Sequence, residues 1–222
     1  MIKLVAFDWN GTLVADTQTV VDCTNVQLKV FENKKINIKI YREYFEIPVN
    51  KFFENIGIDP KVVEKSYRKS GDIFHFEYEK RVNKCRTRRG AKTLLAWLSG
   101  QSIKSVVFSN HATQRINEQT GRLKLTKYLD AILANETIHD AYTIKGKEKR
   151  LLEYIERNKI KSSEVLVVGD TTEEITIAKD MNTQVVAISN GHSTTARLRE
   201  AKPNYLINNL GQITSIIDKI NH

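Results

Sequence analysis

Two short apolar runs in this 222-residue chain stop at acidic loops. Lys3 to Phe7 runs into Asp8-Trp9-Asn10-Gly11-Thr12-Leu13, and Val165-Leu166-Val167-Val168 runs into Gly169-Asp170-Thr171-Thr172-Glu173-Glu174. An aspartate in such a loop, at the mouth of a parallel sheet, can attack phosphorus and carry the phosphoryl group as an acyl phosphate, provided a metal manages its charge. Alone, Asp8 reads better as a turn cap, because a strand ending in Asp is common. The second cluster overrides that reading, because Mg²⁺ needs hard oxygens from only one or two carboxylates and completes its octahedron with water and phosphate. Asp8 and Asp170 meet that need, and Glu174 suits a metal-bound water. Glu173 is set aside as a plain helix-start acid.

Other groups suit the phosphate itself. Ser109, with Asn110 beside it, offers a hydroxyl and backbone N–H groups at the start of a helix, and the hydroxyl of Thr12 offers a similar grip. A lysine is then expected to balance the nucleophile and the phosphate as charge develops. Lys145 and Lys147 stand at the opening of the helix before the fourth strand and either would serve, although a surface position is the commoner fate of a lysine.

These residues need elements that bring them together. Ser105-Val106-Val107-Phe108 ends in Ser109-Asn110, and Val185-Val186-Ala187-Ile188 ends in Ser189-Asn190-Gly191, each a strand-like run closed by polar residues. Helical patterns separate the runs at Ala91 to Leu98, Gln114 to Leu123, Glu148 to Arg157 and Glu173 to Met181, with shorter strands at Ala131 to Ala134 and Tyr205 to Ile207. Strand alternating with helix predicts an α/β fold, a Rossmann-like parallel sheet flanked by helices. In such sheets ligands sit off the carboxyl ends of the strands, where Asp8, Asn10, Ser109, Asn110 and Asp170 would gather.

Residues 15–88 break that rhythm with long amphipathic stretches such as Val20 to Phe31 and Val62 to Val82, and read as an all-helical insertion. Ile47-Pro48 and Ile58-Asp59-Pro60 mark turns between its helices. The expected organisation is a core of residues 1–14 and 89–222 with a helical cap, 15–88, standing over the site.

Composition narrows the classes. With 41% hydrophobic and 27% charged residues the chain is an ordinary globular one. No apolar stretch approaches the roughly eighteen residues of a membrane span, and Met1 to Phe7 runs into Asp8 rather than a cleavage site, so a soluble, cytoplasmic protein is expected. Cys23 and Cys85 are too few for a disulfide framework. A net charge of +9 suits either nucleic acid or the steering of small phosphorylated anions. Basic residues crowd Lys80, Arg81, Lys84, Arg86, Arg88 and Arg89, and again Lys145, Lys147, Lys149 and Arg150, without the interleaved aromatics that nucleic-acid binding favours. Solvated faces explain both groups. A response-regulator-like module is opposed by the length of the insertion, and neither G-x-G-x-x-G nor G-x-x-x-x-G-K-[ST] occurs.

Taken in order, Asp8-Trp9-Asn10-Gly11-Thr12-Leu13, Ser109-Asn110, Lys145 and Gly169-Asp170-Thr171-Thr172-Glu173-Glu174 resemble the motifs of the haloacid dehalogenase-like superfamily over nearly the whole chain. Gly191-His192 adds a likeness to its phosphoglycolate-phosphatase-like members. The resemblance implies hydrolysis of a small phosphorylated metabolite through phospho-Asp8. It implies Mg²⁺ held by Asp8, Asp170, Glu174 and the Asn10 carbonyl, with Thr12, Ser109, Asn110 and Lys145 on the phosphate. Asn10 departs from the pattern, which has at that place an aspartate serving as general acid and base. An amide cannot exchange that proton, a loss worth roughly 10²- to 10⁴-fold in rate. Three readings stay open: leaving groups needing little protonation, such as acyl or aryl phosphates; a proton from His75 or Glu77 in the cap; or a phosphoester- or nucleic-acid-binding relative with little turnover.

Overall fold

The structure is a computed structural model and describes residues 1–137 and 146–222. Short runs of β-branched and aromatic residues become the strands β1 (Leu4–Phe7), β2 (Lys104–Ala112), β3 (Ala131–Asn135), β4 (Val165–Gly169), β5 (Gln184–Ile188) and β6 (Tyr205–Ile207). They form one sheet in the order β3-β2-β1-β4-β5-β6, with every neighbouring pair parallel. The order reverses at β1, which pairs with β2 on one side and β4 on the other. The crevice beyond the carboxyl ends of β1, β2 and β4 is therefore the natural ligand position.

Between β1 and β2 the chain leaves the sheet and forms α1 (Thr17–Gln27), α2 (Ile38–Tyr44), α3 (Val49–Asn55) and α4 (Pro60–Val82). The expected turns are where these helices meet. Pro48 directly precedes α3, and Asp59 caps α4 by accepting from Lys61 N at 2.7 Å, with Pro60 in the first turn where its missing N–H costs nothing. The way out and the way back run side by side: Ala15 N donates to Arg86 O and Arg88 N to Leu13 O, both at 2.8 Å.

The rest of the chain supplies α5 (Ala91–Gly100), α6 (Thr113–Leu123), α7 (Lys147–Arg157), α8 (Thr172–Asp180), α9 (Thr195–Glu200) and α10 (Ile213–Asn221). Side chains alternate across the sheet, as the period of two requires. Val5, Phe7, Val107, Leu166 and Val168 join one core with α5, α10 and the insertion. Leu4, Ala6, Val106, Phe108 and Val167 join the other with α7, α8 and α9.

The structure differs from the sequence reading at the end of β2 and at the basic groups. β2 does not stop at Phe108 but continues through Ser109 and Asn110 to Ala112, so α6 opens four residues after Ser109 rather than beside it. Its pairing with β3 is irregular between Phe108 and Ala112, which lets polar residues continue the strand at the sheet's mouth. Nor do the basic groups form single solvated faces. Lys80 and Arg81 pair with Glu77, Arg88 turns inward to donate to Gly11 O and Ser189 O, and Lys147 is buried. Among the described residues no helix is long and apolar enough to cross a membrane.

Candidate active site

Asp8 follows the last residue of β1 and is fixed by its backbone, N donating to Val168 O at 2.9 Å. The ammonium of Lys147, the first residue of α7, donates to Asp8 Oδ1 at 2.7 Å, to Glu174 Oε1, and to Glu173 Oε2 at 3.4 Å. Lys145 lies outside the described residues. Among the described residues Lys147, its equal on sequence grounds, reaches the aspartate.

Charge dominates this cluster. Burial holds Asp8's carboxyl well above the ordinary carboxylate range; Lys147 pulls it back, and the carboxylates of Glu174 and Asp170 push it up again. Burial would lower the Lys147 ammonium, but Asp8, Glu174 and Glu173 outweigh it and hold the lysine charged well above its usual range. Burial also raises Glu174, yet the charge of Lys147 and hydrogen bonds from Lys147 and Thr171 bring it below the ordinary value.

Asp170 lies just past β4 and is fully buried. Thr12 Oγ1 donates to its Oδ1 and His192 N to its Oδ2, each at 2.6 Å. Thr12 therefore spends its hydroxyl on Asp170, where the sequence reading assigned it to a phosphate. Two glycines make this approach possible. A Cβ on Gly11, whose φ is +73°, would come within 2.4 Å of Asp170 Oδ2, and one on Gly191 within 2.1 Å.

Ser109, Asn110 and Glu173 border the same cavity as Asp8. Asn110 Nδ2 donates to both carboxylate oxygens of Glu173 at 3.1 Å, so Glu173 is more than a helix-start acid. Thr171 is the residue that caps α8, with Glu174 Oε2 accepting from its N at 3.0 Å and its hydroxyl at 2.7 Å.

Asn10 Nδ2 donates to Asp16 Oδ2 at 2.6 Å and to Tyr78 Oη at 2.8 Å, while Tyr78 donates to the same Asp16 oxygen at 2.6 Å. Asp16 Oδ1 in turn accepts from Gly11 N at 2.8 Å. Asp16 thus fastens the nucleophile's loop to α4. Sequence reasoning missed it and Tyr78, since an acid shortly after the motif was the single signal. Of the two cap residues weighed as proton donors, His75 borders the cavity, its ring parallel to His111 at 6.4 Å between centroids. Glu77 is instead held by Lys80 and Arg81.

Whether these residues suit a hard cation can be tested on their chemistry. Asp8, Glu173 and Glu174 crowd around the ammonium of Lys147, Asp170 adds its charge against Asp8, and Glu174 adds its own against Asp170; this mutual repulsion is what an added divalent charge would relieve. Among the described residues no three acidic, histidine or cysteine side chains already converge on one point, but Mg²⁺ takes only one or two carboxylates. The hydrogen bonds to Asp170 occupy one lone pair on each oxygen and leave others. The donor set fits.

Comparison with known proteins gives a consistent result. Residues 5–188 match the family described as haloacid dehalogenase-like hydrolase. A phosphoglycolate phosphatase of Pseudomonas fluorescens is 24% identical over 216 residues, covering 94% of this chain and 77% of that one. A pyrophosphatase PpaX of Bacillus mycoides is 22% identical over 220 residues, covering 99% of each. A solved haloacid dehalogenase-like hydrolase of Streptococcus pneumoniae superposes with a TM-score of 0.80 at 17% identity, over 97% of this chain and 98% of that one, a likeness of fold.

Proposed function

This chain belongs to the haloacid dehalogenase-like hydrolase family, and on that premise we propose that it is a Mg²⁺-dependent phosphatase acting on a small phosphorylated compound through an aspartyl phosphate on Asp8. The observation that carries this reading is the pairing of Asp8 with Lys147 on the border of a cavity at the mouth of the sheet. Among the described residues Lys147 is the one hydrogen-bond donor to the Asp8 carboxylate, through Oδ1, which leaves Oδ2 for phosphorus. The names of the phosphoglycolate phosphatase and pyrophosphatase relatives support the same reaction class.

In this reading Asp8 Oδ2 attacks phosphorus and the leaving-group oxygen departs with the bonding electron pair. Lys147 keeps its charge in the buried cluster, orients the carboxylate and offsets charge on the transferring phosphoryl group. The hydroxyl of Ser109 and the amide of Asn110 hold phosphate oxygens. Water then attacks the aspartyl phosphate and frees Asp8. Asp8, Asp170 and the Asn10 carbonyl would hold Mg²⁺, with Glu174 on a bound water; when present it supplies charge neutralisation of the phosphoryl oxygens. Residues 15–88 act as the cap and 1–14 with 89–222 as the core, the adjoining segments around Leu13 to Ala15 and Arg86 to Arg88 being the crossing points.

Hydrolysis of para-nitrophenyl phosphate with and without Mg²⁺, by wild type and Asp8→Ala, tests the reading. Mg²⁺-dependent turnover that disappears in Asp8→Ala is expected. Turnover surviving in Asp8→Ala, or none in the wild type loaded with metal, would overturn it.

A further inference from the structure

The cavity bordered by Asp8 has two chemically opposite walls. Its base carries Asp8, Ser109, Asn110, Lys147, Glu173 and Glu174. Its far wall comes from the insertion and is apolar: Phe45, Ile47, Val49, Phe52, Phe53 and Phe74. The insertion also brings Thr24, Gln27, Tyr41, His75 and Tyr78 there, and three of these have partners within the protein. Tyr41 bonds His192 at 3.0 Å, Tyr78 bonds Asp16, and Gln27 bonds Ser70 at 3.4 Å.

Among the described residues no lysine or arginine of the insertion borders the cavity; three histidines, His75, His111 and His192, also line it, and burial pushes His111 down to about 3. Among the described residues lining the cavity, Lys147 is the one lysine or arginine, and its ammonium is already held by Asp8, Glu173 and Glu174. A substrate with a second anionic group, a carboxylate or another phosphate, would press that group against aromatic carbon with no lysine or arginine to pair it, which disfavours binding. An apolar group gains by the same contact. The cavity volume of about 180 Å³ allows one ring, since an apolar cavity of roughly 150 Å³ takes benzene.

Asn10 points the same way by an independent route. Its amide is fastened to Asp16 and Tyr78 and has no proton to give a departing oxygen. A phenol ionises near pH 10, against about 15.7 for water, so a phenolate leaves without an acid where an alkoxide does not.

We propose that the site selects phosphate monoesters of small, uncharged phenols and discriminates against compounds that carry a second anionic group, such as phosphoglycolate and pyrophosphate. This rests on the phosphatase reading above. A bond forms between Asp8 Oδ2 and phosphorus as the bond from phosphorus to the phenolic oxygen breaks, and the electron pair leaves on the phenolate, which then takes a proton from water. Water attacks the aspartyl phosphate, the bond from phosphorus to Asp8 breaks, and inorganic phosphate, the Asp8 carboxylate and one proton result. That proton balances the one taken up by the phenolate.

The test measures kcat/KM with Mg²⁺ for phenyl phosphate, 2-phosphoglycolate, pyrophosphate and acetyl phosphate, in wild type and Asp8→Ala. Acetyl phosphate has a readily expelled leaving group but no ring, so it reports on the phosphatase reading alone. Phenyl phosphate is expected to exceed phosphoglycolate, whose alkoxide leaving group needs an acid, by about 10²-fold or more, the scale of a missing general acid, and to exceed pyrophosphate, whose departing phosphate needs none, through the unpaired second anion alone. Val49→Arg, which sets a cation on the apolar wall, should narrow the ratio to phosphoglycolate by about tenfold, with a thermal melt followed by circular dichroism reporting that the variant is folded. Asp8-dependent turnover of acetyl phosphate with phosphoglycolate or pyrophosphate matching phenyl phosphate would overturn the aryl proposal and leave the phosphatase standing. Absence of Asp8-dependent turnover on all four would overturn both.

Discussion

The side-chain amide of Asn10 donates to Asp16 Oδ2 across 2.6 Å. An aspartate at position 10 would set two carboxylates at that separation inside the protein, where they cannot both ionise without strong repulsion. Asn10→Asp alone is therefore expected to lose stability, by about 1–3 kcal/mol for the broken buried hydrogen bond. The deficit should shrink at acidic pH: the pair's affinity for a proton is raised in the folded state, so its contribution is present at low pH and lost as pH rises. The exchange Asn10→Asp with Asp16→Asn restores one carboxylate and one amide. It should recover stability and raise turnover of an alkyl phosphate by roughly 10²- to 10⁴-fold. Denaturant titration of the single and double variants, with rates on glycerol phosphate, checks both; an unchanged alkyl rate in the stable double variant would show that proton supply is not limiting.

Lys147 is 3% exposed and holds three carboxylates together. Lys147→Met should cost about 3–5 kcal/mol, because it leaves buried negative charge without its partner. It should also lower kcat on para-nitrophenyl phosphate by roughly 10²- to 10³-fold through lost stabilisation of the developing charge. A variant as stable as wild type would mean that the cluster is not ionised as described.

Gly11 combines a φ of +73° with a Cβ position 2.4 Å from Asp170 Oδ2. Gly11→Ala should destabilise by more than about 1 kcal/mol from the backbone conformation alone. It should also displace Asp170, so Mg²⁺ affinity, read by titration calorimetry, is expected to fall alongside activity. Unaltered metal binding in the folded variant would separate Asp170 from the metal.

Cys23 is buried on α1, and burial pushes its thiol up to about 11. Alkylation of native protein at pH 8 should leave it unmodified, while the unfolded chain reacts readily. Because the folded thiol holds its proton more tightly than the unfolded one, stability should decline as pH rises from about 9 to 11. Mass spectrometry after iodoacetamide, and melting curves across that range for wild type and Cys23→Ala, give the answer; rapid native labelling would contradict it.

Much of the fold was legible because strands and turns are local facts. The runs ending at Asp8, Asp170 and Ser189 each carry their own β-branched residues and turn chemistry, and parallel crossover rules leave little freedom in assembling them. The two acidic clusters belong to one end of the sheet on strand direction alone. The partners of those residues cannot be placed that way. Lys145 and Lys147 are indistinguishable by type and spacing, and only the seating of α7 against the sheet brings Lys147 to an aspartate 139 positions away. Asp16 meets Tyr78 across 62 positions for the same reason. The apolar wall exists because α2, α3 and α4 bring Phe45, Phe52 and Phe74 together, although nothing in the order of the chain marks them as one surface. The sequence by itself determined which elements form and where their polar ends lie. Tertiary packing decided which side chains touch, since contact between distant residues depends on how whole faces fit and not on any local period.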